Sequence, residues 1–104
     1  NKFFTNFNIE GSSNFALPLV ILNKDKNRFI RVCDILDDNE VEYRIGTAGG
    51  GNQAKQPYLK KYDFYAKNLN NSDYIHEYAL YIGNHPMLND KQILNLCDKL
   101  NEES

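Results

Sequence analysis

A chain of 104 residues holds one domain at most, and its 41% hydrophobic content, with six Phe and seven Tyr, supplies a modest core and argues against disorder. The formal net charge is −2 with both signs interspersed, which leaves no basic face for nucleic acid or an anionic membrane. The longest apolar run, Phe15 to Leu22, is eight residues long and contains a proline, so it cannot span a bilayer; with no visible signal peptide, a cytoplasmic setting is expected.

The chain opens on Asn1 with no initiator Met and reads as a piece of something longer. Residues 1 to 10 carry Phe3, Phe4, Phe7 and Ile9, an apolar content that needs cover, but show no clear period. After a turn at Gly11 to Asn14, Phe15 to Leu22 reads as a strand with Phe15, Leu17, Leu19 and Ile21 on one face. Pro18 cannot donate to a ladder, which assigns this strand to a sheet edge or a bulge.

The polar stretch Asn23 to Asn27 offers Asn23 or Asp25 as N-cap for a helix. There Phe29, Val32, Cys33 and Leu36 recur at i, i+3, i+4 and i+7, and Asp37 to Asn39 close it. Val41 to Ile45 resumes an extended pattern. Gly46, Gly49, Gly50 and Gly51 then interrupt the chain before Asn52, Gln53 and the Gln56-Pro57 pair. Glycines can let backbone N–H groups converge on a phosphate. Here the Lys-Ser/Thr of a Walker loop is missing and no helix opens behind the glycines, so the run reads as a loop that orders against a partner. From Tyr58 to Asn71 aromatics and lysines interleave. The overall charge argues against a single-stranded nucleic-acid surface, and a tyrosine-rich loop with a short helix, covering a sheet edge or an interface, is the expectation.

Tyr78 to Ile82 reads as a strand buried on both faces, ended by Gly83. Gly-Asn-His-Pro at 83 to 86 breaks regular pairing and sets Asn84 and His85 at the end of a rigid element. Asn89 with Gln92 three residues later forms a loose capping box, after which Ile93, Leu96, Cys97 and Leu100 repeat the helical stripe. Cys33 and Cys97 occupy matching places in the two stripes. With no CxxC or His-spaced partner, they read as small buried hydrophobes and not as a disulfide or zinc site. Two amphipathic helices beside short strands predict an α/β (α+β) two-layer sandwich, a small and mainly antiparallel sheet with both helices on one face.

Several stretches, taken in order, resemble one family. These are Asn14 to Leu19 (NFALPL), Arg31 with Leu36 ahead of Val41-Glu42-Tyr43-Arg44, Gly51-Asn52 with Gln56-Pro57, and Tyr81 to Pro86 (YIGNHP) before a capped helix. The series is similar to the C-terminal small domain of the DegT-type (DegT/StrS) sugar aminotransferases and covers essentially the whole chain. The G-N-H turn after an aromatic strand looks more like the 4-keto-6-deoxy sugar 3-dehydratase branch. Gly49 to Gly51 makes the G-N loop longer than the family pattern.

The resemblance implies the C-terminal fold of a fold-type I pyridoxal 5'-phosphate enzyme, a homodimer acting on nucleotide-linked 4-keto sugars in lipopolysaccharide or other surface-polysaccharide synthesis. It also implies that the cofactor is bound mainly by an upstream large domain, so that residues 1 to 104 hold no catalytic residue and are inactive alone. Within this chain, Asn52, Gln56, Asn84 and His85, with Arg44 as a lesser candidate, are the expected substrate-binding residues, because amides, imidazole and guanidinium suit hydroxyls, a keto group and a diphosphate. Local alternatives stand beside these: Asn84 satisfying its turn, Gln56 capping backbone before Pro57, and Arg44 pairing with Glu42 or Asp residues on the surface. The expectation is that the Asn52 loop and the His85 corner close together on one pocket. Two other classes stand beside this: a free-standing protein-interaction module with a Tyr-rich loop, and a ferredoxin-like nucleic-acid binder.

Overall fold

A computed structural model of the chain describes residues 2–46 and 51–104. Its elements in chain order are β1 (Ala16–Val20), α1 (Lys26–Asp38), β2 (Tyr43–Ile45), α2 (Asn70–Tyr78), β3 (Ala79–Gly83) and α3 (Asp90–Glu103), with short 3-10 turns at Leu22–Lys24, Gln53–Lys55 and Pro57–Leu59. This is a small α+β protein with a three-stranded antiparallel sheet and three helices.

The sheet order is β1-β3-β2, with β3 antiparallel to both neighbours. β1 and β2 therefore run parallel to each other with β3 inserted between them, a split β-α-β arrangement. Pro18 lies on the edge strand, opposite Tyr81, where its missing N–H removes no central ladder bond. Ahead of it, Phe3 forms a lone bridge to Ile21 and the Phe4 N–H donates to the Val20 carbonyl (2.8 Å), so the segment runs along the free side of β1; only Phe3 finds cover there, and Phe4, Phe7 and Ile9 stay exposed.

The register settles which residues face the helices, because directly opposed residues share a face. Leu17 and Tyr43 flank Ile82, and Leu19 and Ile45 flank Leu80. Leu80 and Ile82 belong to one buried cluster with Ile21, Phe29, Val32, Ile35, Leu36 and Leu100. α1 and α3 thus share a core against one sheet face, as the matching stripes predict. Arg28 and Arg31 of α1 tie the pair further by donating to the Ser104 carbonyl at 3.1–3.3 Å. The opposite face carries Pro18, Tyr81 and Arg44.

Local chemistry explains the helix ends. Asp25 caps α1 by accepting the Arg28 N–H at 2.9 Å, and Glu40, with φ +57°, turns the chain out of it while the Val41 N–H returns to the Leu36 carbonyl. At α3 both halves of the box are present: the Gln92 N–H donates to Asn89 Oδ1 at 2.8 Å and the Asn89 N–H to Gln92 Oε1 at 3.0 Å.

Three expectations change. The stripe of α3 is covered only toward its C-terminal end: Leu100 is buried, Leu96 and Cys97 are half-buried, and Ile93 is 41% exposed; it is at that end that Arg28 and Arg31 of α1 reach Ser104. Cys33 is likewise half-buried. It packs beside Tyr43 at the margin of the core while Ile35 takes the buried place, and burial still pushes its thiol up from the ordinary value. The third difference is α2. Residues 70 to 78 are helical up to the first residue of β3, with no connecting loop, so the strand begins at Ala79 and not at Tyr78. Tyr58 to Leu69 is mostly irregular beyond its 3-10 turn.

α2 buries no residue. It is held by Tyr78, half-buried against the core, and by the Tyr74 hydroxyl donating to the Ile21 carbonyl at 2.6 Å, which pins it where β1 leaves the sheet and β3 enters it.

Candidate functional site

The loop between β2 and the Gln53–Lys55 turn is closed at its base. Gln56, 5% exposed, donates from Nε2 to the Gly46 carbonyl at 2.8 Å. Asn52, 4% exposed, is committed in three directions. Its backbone N–H donates to His76 Nδ1 at 3.0 Å, its Oδ1 accepts the Ala54 N–H at 2.9 Å, and its Nδ2 donates to Asp73 Oδ1 at 2.5 Å. The Oδ1 contact caps the Gln53–Lys55 turn, a role asparagine fills well because its side chain mimics a turn's carbonyl.

Asp73 and His76 stand three residues apart on α2 and therefore share a helix face, which is turned to this loop. Lys55 completes the cluster, with Nζ 3.6 Å from both Asp73 and Glu77; Lys26 of α1 approaches Glu77 at 3.9 Å from the other side. Among the described residues no buried side-chain N or O lacks a hydrogen-bond partner. The amides of Asn52 and Gln56 thus make their contacts inside the protein. Gly49 and Gly50, part of the glycine run singled out in the sequence, lie outside the described residues.

The other candidates lie elsewhere. Asn84 donates from its backbone N–H to the Phe15 carbonyl (3.0 Å) and from Nδ2 to the Asn14 carbonyl (2.8 Å), tying the start of β1 to the end of β3. His85 is exposed; its Nδ1 accepts the Met87 N–H and its carbonyl accepts the Leu88 N–H, both at 3.0 Å, so the imidazole closes its own turn. Arg44 pairs with Glu42 at 3.0 Å, a surface ion pair on the sheet face away from the helices.

The structure brings Asn52 and Gln56 together and separates them from Asn84 and His85. Ile45 pairs with Leu80, so Gly46 leaves the sheet at the Ala79 end of β3, while Gly83 and the His85 corner lie at its other end. The four steps from Ala79 to Gly83, at about 3.3 Å each, put roughly 13 Å of strand between the two. The expected convergence on one pocket does not occur, because the antiparallel pairing of β2 with β3 sends the loop backwards along the central strand.

His76 and Asp73 are the residues of this candidate site that sequence reasoning misses. The apolar period of α2 is too weak to announce a helix, and without a helix the i, i+3 spacing of Asp73 and His76 carries no meaning. One signal was present: two glycines, 46 and 51, bracket a loop that must approach something closely.

Two surface depressions among the described residues are lined by Asn68 to Ser72 and by Lys2, Phe3, Thr5 and Asn101; neither contains a candidate residue. These residues offer no slot for a pyridine ring and no cationic cradle for its phosphate, so they do not fit as holders of pyridoxal phosphate, and no chemical step is assigned to them. Among the described residues no cluster of His, Cys, Asp and Glu suits a metal ion, and no helix is long and apolar enough to cross a membrane. Comparison with protein-family models, curated proteins and solved structures finds no match to this chain.

Proposed function

We propose that the chain is the C-terminal small domain of a cytoplasmic, homodimeric, pyridoxal phosphate-dependent enzyme that acts on nucleotide-linked 4-keto-6-deoxy sugars, either an aminotransferase or a 3-dehydratase of surface-polysaccharide synthesis. The reactive half, including the cofactor's ligands, belongs to an upstream domain. The observation that carries the reading is that Asn52 and Gln56, on which the sequence resemblance leans, are both buried and hydrogen-bonded, one to α2 and the other to the end of β2. A corner held this firmly is suited to forming one wall of a site completed by another domain. The small α+β fold is compatible with this role.

In this reading the chain's share is positional. Asn52 and Gln56 fix the loop, whose backbone N–H and carbonyl groups then meet sugar hydroxyls or diphosphate oxygens; the cofactor, held by the upstream domain, supplies the electron-sink chemistry. Asn84 and His85 are assigned to their turn and Arg44 to its surface pair. The test is the purified parent polypeptide. It binds pyridoxal phosphate and consumes a nucleotide 4-keto-6-deoxy sugar, Asn52→Ala raises KM about tenfold through about 1.4 kcal/mol of lost positioning, and His85→Ala leaves KM unchanged. A parent that carries no pyridoxal phosphate, or an Asn52→Ala enzyme with wild-type constants, overturns the reading.

A second reading has one observation in its favour. Tyr58, Tyr62, Phe64 and Tyr65 are exposed together, Tyr65 by 86%, as in a protein-interaction module. It requires residues 1 to 104 to bind a protein partner with no upstream domain, whereas the first reading makes the isolated chain inert.

A further inference from the structure

The sheet has two outer edges, and they differ in what lies beside them. Along β1 the Phe4 N–H donates to the Val20 carbonyl at 2.8 Å and the Leu22 N–H to the Lys2 carbonyl at 3.0 Å, so the N-terminal segment occupies the outward backbone groups there. β2 has only β3 beside it among the described residues. The register decides which of its groups face outward. The Ile21 N–H donates to the Tyr78 carbonyl and the Asn84 N–H to the Phe15 carbonyl, and in an antiparallel ladder every second residue bonds to the same neighbour, so Leu80 and Ile82 also turn toward β1. Ala79, Tyr81 and Gly83 then turn toward β2, where Tyr81 forms the bonded pair with Arg44. The N–H and carbonyl of Tyr43 and the N–H of Ile45 therefore point away from the sheet, and among the described residues no backbone group meets them.

Open edges are commonly guarded by charge, because like charges directly opposed across two strands repel. β2 carries charges of opposite sign instead: Glu42 and Arg44, with side chains 80% and 49% exposed, lie two residues apart and so share the face away from the helices. We propose that β2 pairs antiparallel with β2 of a second copy of this chain, about a twofold axis through Tyr43, which joins the two sheets into one. Tyr43 meets Tyr43 of the other copy as a bonded pair, as its outward N–H and carbonyl allow, and Glu42 then stands opposite Arg44 of the other copy, twice over by symmetry. These charge pairs fall at the non-bonded positions, where Cα atoms are about 4.5 Å apart and side chains come closest. On the helix face Ile45, 38% exposed, comes opposite Val41. A register centred on Arg44 sets the two guanidinium groups against each other, and one centred on Ile45 sets Arg44 opposite Gly46, with no charge to meet it. The same two residues thus select one alignment and disfavour its neighbours. Because the outer edge of β1 is taken, the assembly closes at two copies. A strand of three residues makes a small seam, and each Asp37, which accepts its own Tyr43 hydroxyl, brings like charge to it from the helix side, so the association is weak and depends on concentration. The pairing rests on neither functional reading above.

The test is sedimentation of the 104-residue chain at about 20 µM and about 1 mM, with amide exchange of Tyr43 and Arg44 followed over the same range. Wild type passes from one copy to two. Tyr43 gains protection with concentration, whereas Arg44, bonded to Tyr81 within the sheet, is protected equally throughout. Arg44→Glu sets a carboxylate opposite Glu42, and Glu42→Arg sets a guanidinium opposite Arg44, so each alone raises the Kd of the dimer about tenfold or more. Both positions are exposed, and unchanged exchange at Leu80 and Ile82 verifies that the variants stay folded. Mixed in equal amounts, the two variants regain opposite-charge pairs and form a mixed dimer, and a chain carrying both exchanges pairs with itself again. Wild type that remains a single copy at about 1 mM, an assembly larger than two, a dimer that survives either single exchange, single variants that stay apart when mixed, or a dimer without added Tyr43 protection each overturns the proposal.

Discussion

Replacing Asn52 by Asp changes one atom of a buried amide and reverses one contact. Aspartate caps a helical turn as well as asparagine does, so the Ala54 N–H keeps its acceptor. The Nδ2 donor to Asp73 becomes a second carboxylate oxygen at hydrogen-bond distance from the first. A hydrogen bond to a charged group contributes about 1.5–3 kcal/mol. The repulsion that replaces it is about 4 kcal/mol for unit charges 4 Å apart at an effective dielectric of 20. That second figure must be reduced: the Asp73 side chain is 45% exposed and Lys55 lies 3.6 Å from it, which leaves about 1 kcal/mol after screening.

The sum is a loss of about 3 kcal/mol, a large part of the roughly 5–15 kcal/mol that stabilises a domain. In urea, with a slope of about 2 kcal/mol per molar, the unfolding midpoint drops by about 1.5 M. Adding Asp73→Asn returns an amide to the pair with donor and acceptor exchanged, and recovers about 2 kcal/mol, far more than the two single changes would give if independent. A midpoint for Asn52→Asp within about 0.2 M of wild type, or a double variant no better than Asn52→Asp, refutes the claim that this contact fixes the loop.

Two further outcomes follow from the core and its margin. Tyr43 has its phenol pushed up to about 12, first by burial and then by Cys33 and Asp37, whose carboxylate accepts its hydroxyl at 3.3 Å. A raised folded value means the contribution is complete below the ordinary tyrosine range near pH 10 and is lost as the pH rises from there toward 12. Alkaline unfolding followed by phenolate absorbance should show this loss in wild type and a flatter curve in Tyr43→Phe. Leu36, with no exposed surface, should cost about 3–4 kcal/mol as Leu36→Ala, whereas Ile93→Ala, at a position 41% exposed, should cost under about 1 kcal/mol; equal losses in thermal or urea unfolding would contradict the half-covered placement of α3.

The sequence by itself determined the parts whose physics is local. Phe29, Val32 and Leu36 mark the buried stripe of α1 because an amphipathic helix repeats every 3.6 residues wherever it lies. Asn89 with Gln92 fixes the start of α3 through contacts within four residues, and Pro18 confines β1 to an edge because it has no N–H to give. The alternation of Leu80 and Ile82 with Ala79 and Tyr81 marks β3 as a strand, but the expected burial of both faces holds only for the Leu80 and Ile82 side, since Tyr81 on the other is half-buried between exposed Pro18 and Arg44. Only the tertiary structure decided the rest. Ile93 and Leu100 occupy the same stripe, and it is the docking of the C-terminal end of α3 on α1, absent from the sequence pattern, that buries Leu100 and leaves Ile93 exposed. α2 escapes detection because, apart from Tyr78 against the core, it is anchored by a tyrosine hydroxyl and a polar cluster, interactions that impose no apolar period. Asn52 and His85 look alike in sequence, polar residues beside glycine turns. The pairing direction of β2 and β3 sends one to each end of the central strand and brings His76, twenty-four residues downstream, against the first. Contacts of that range depend on where strands pair, a property of the folded chain as a whole.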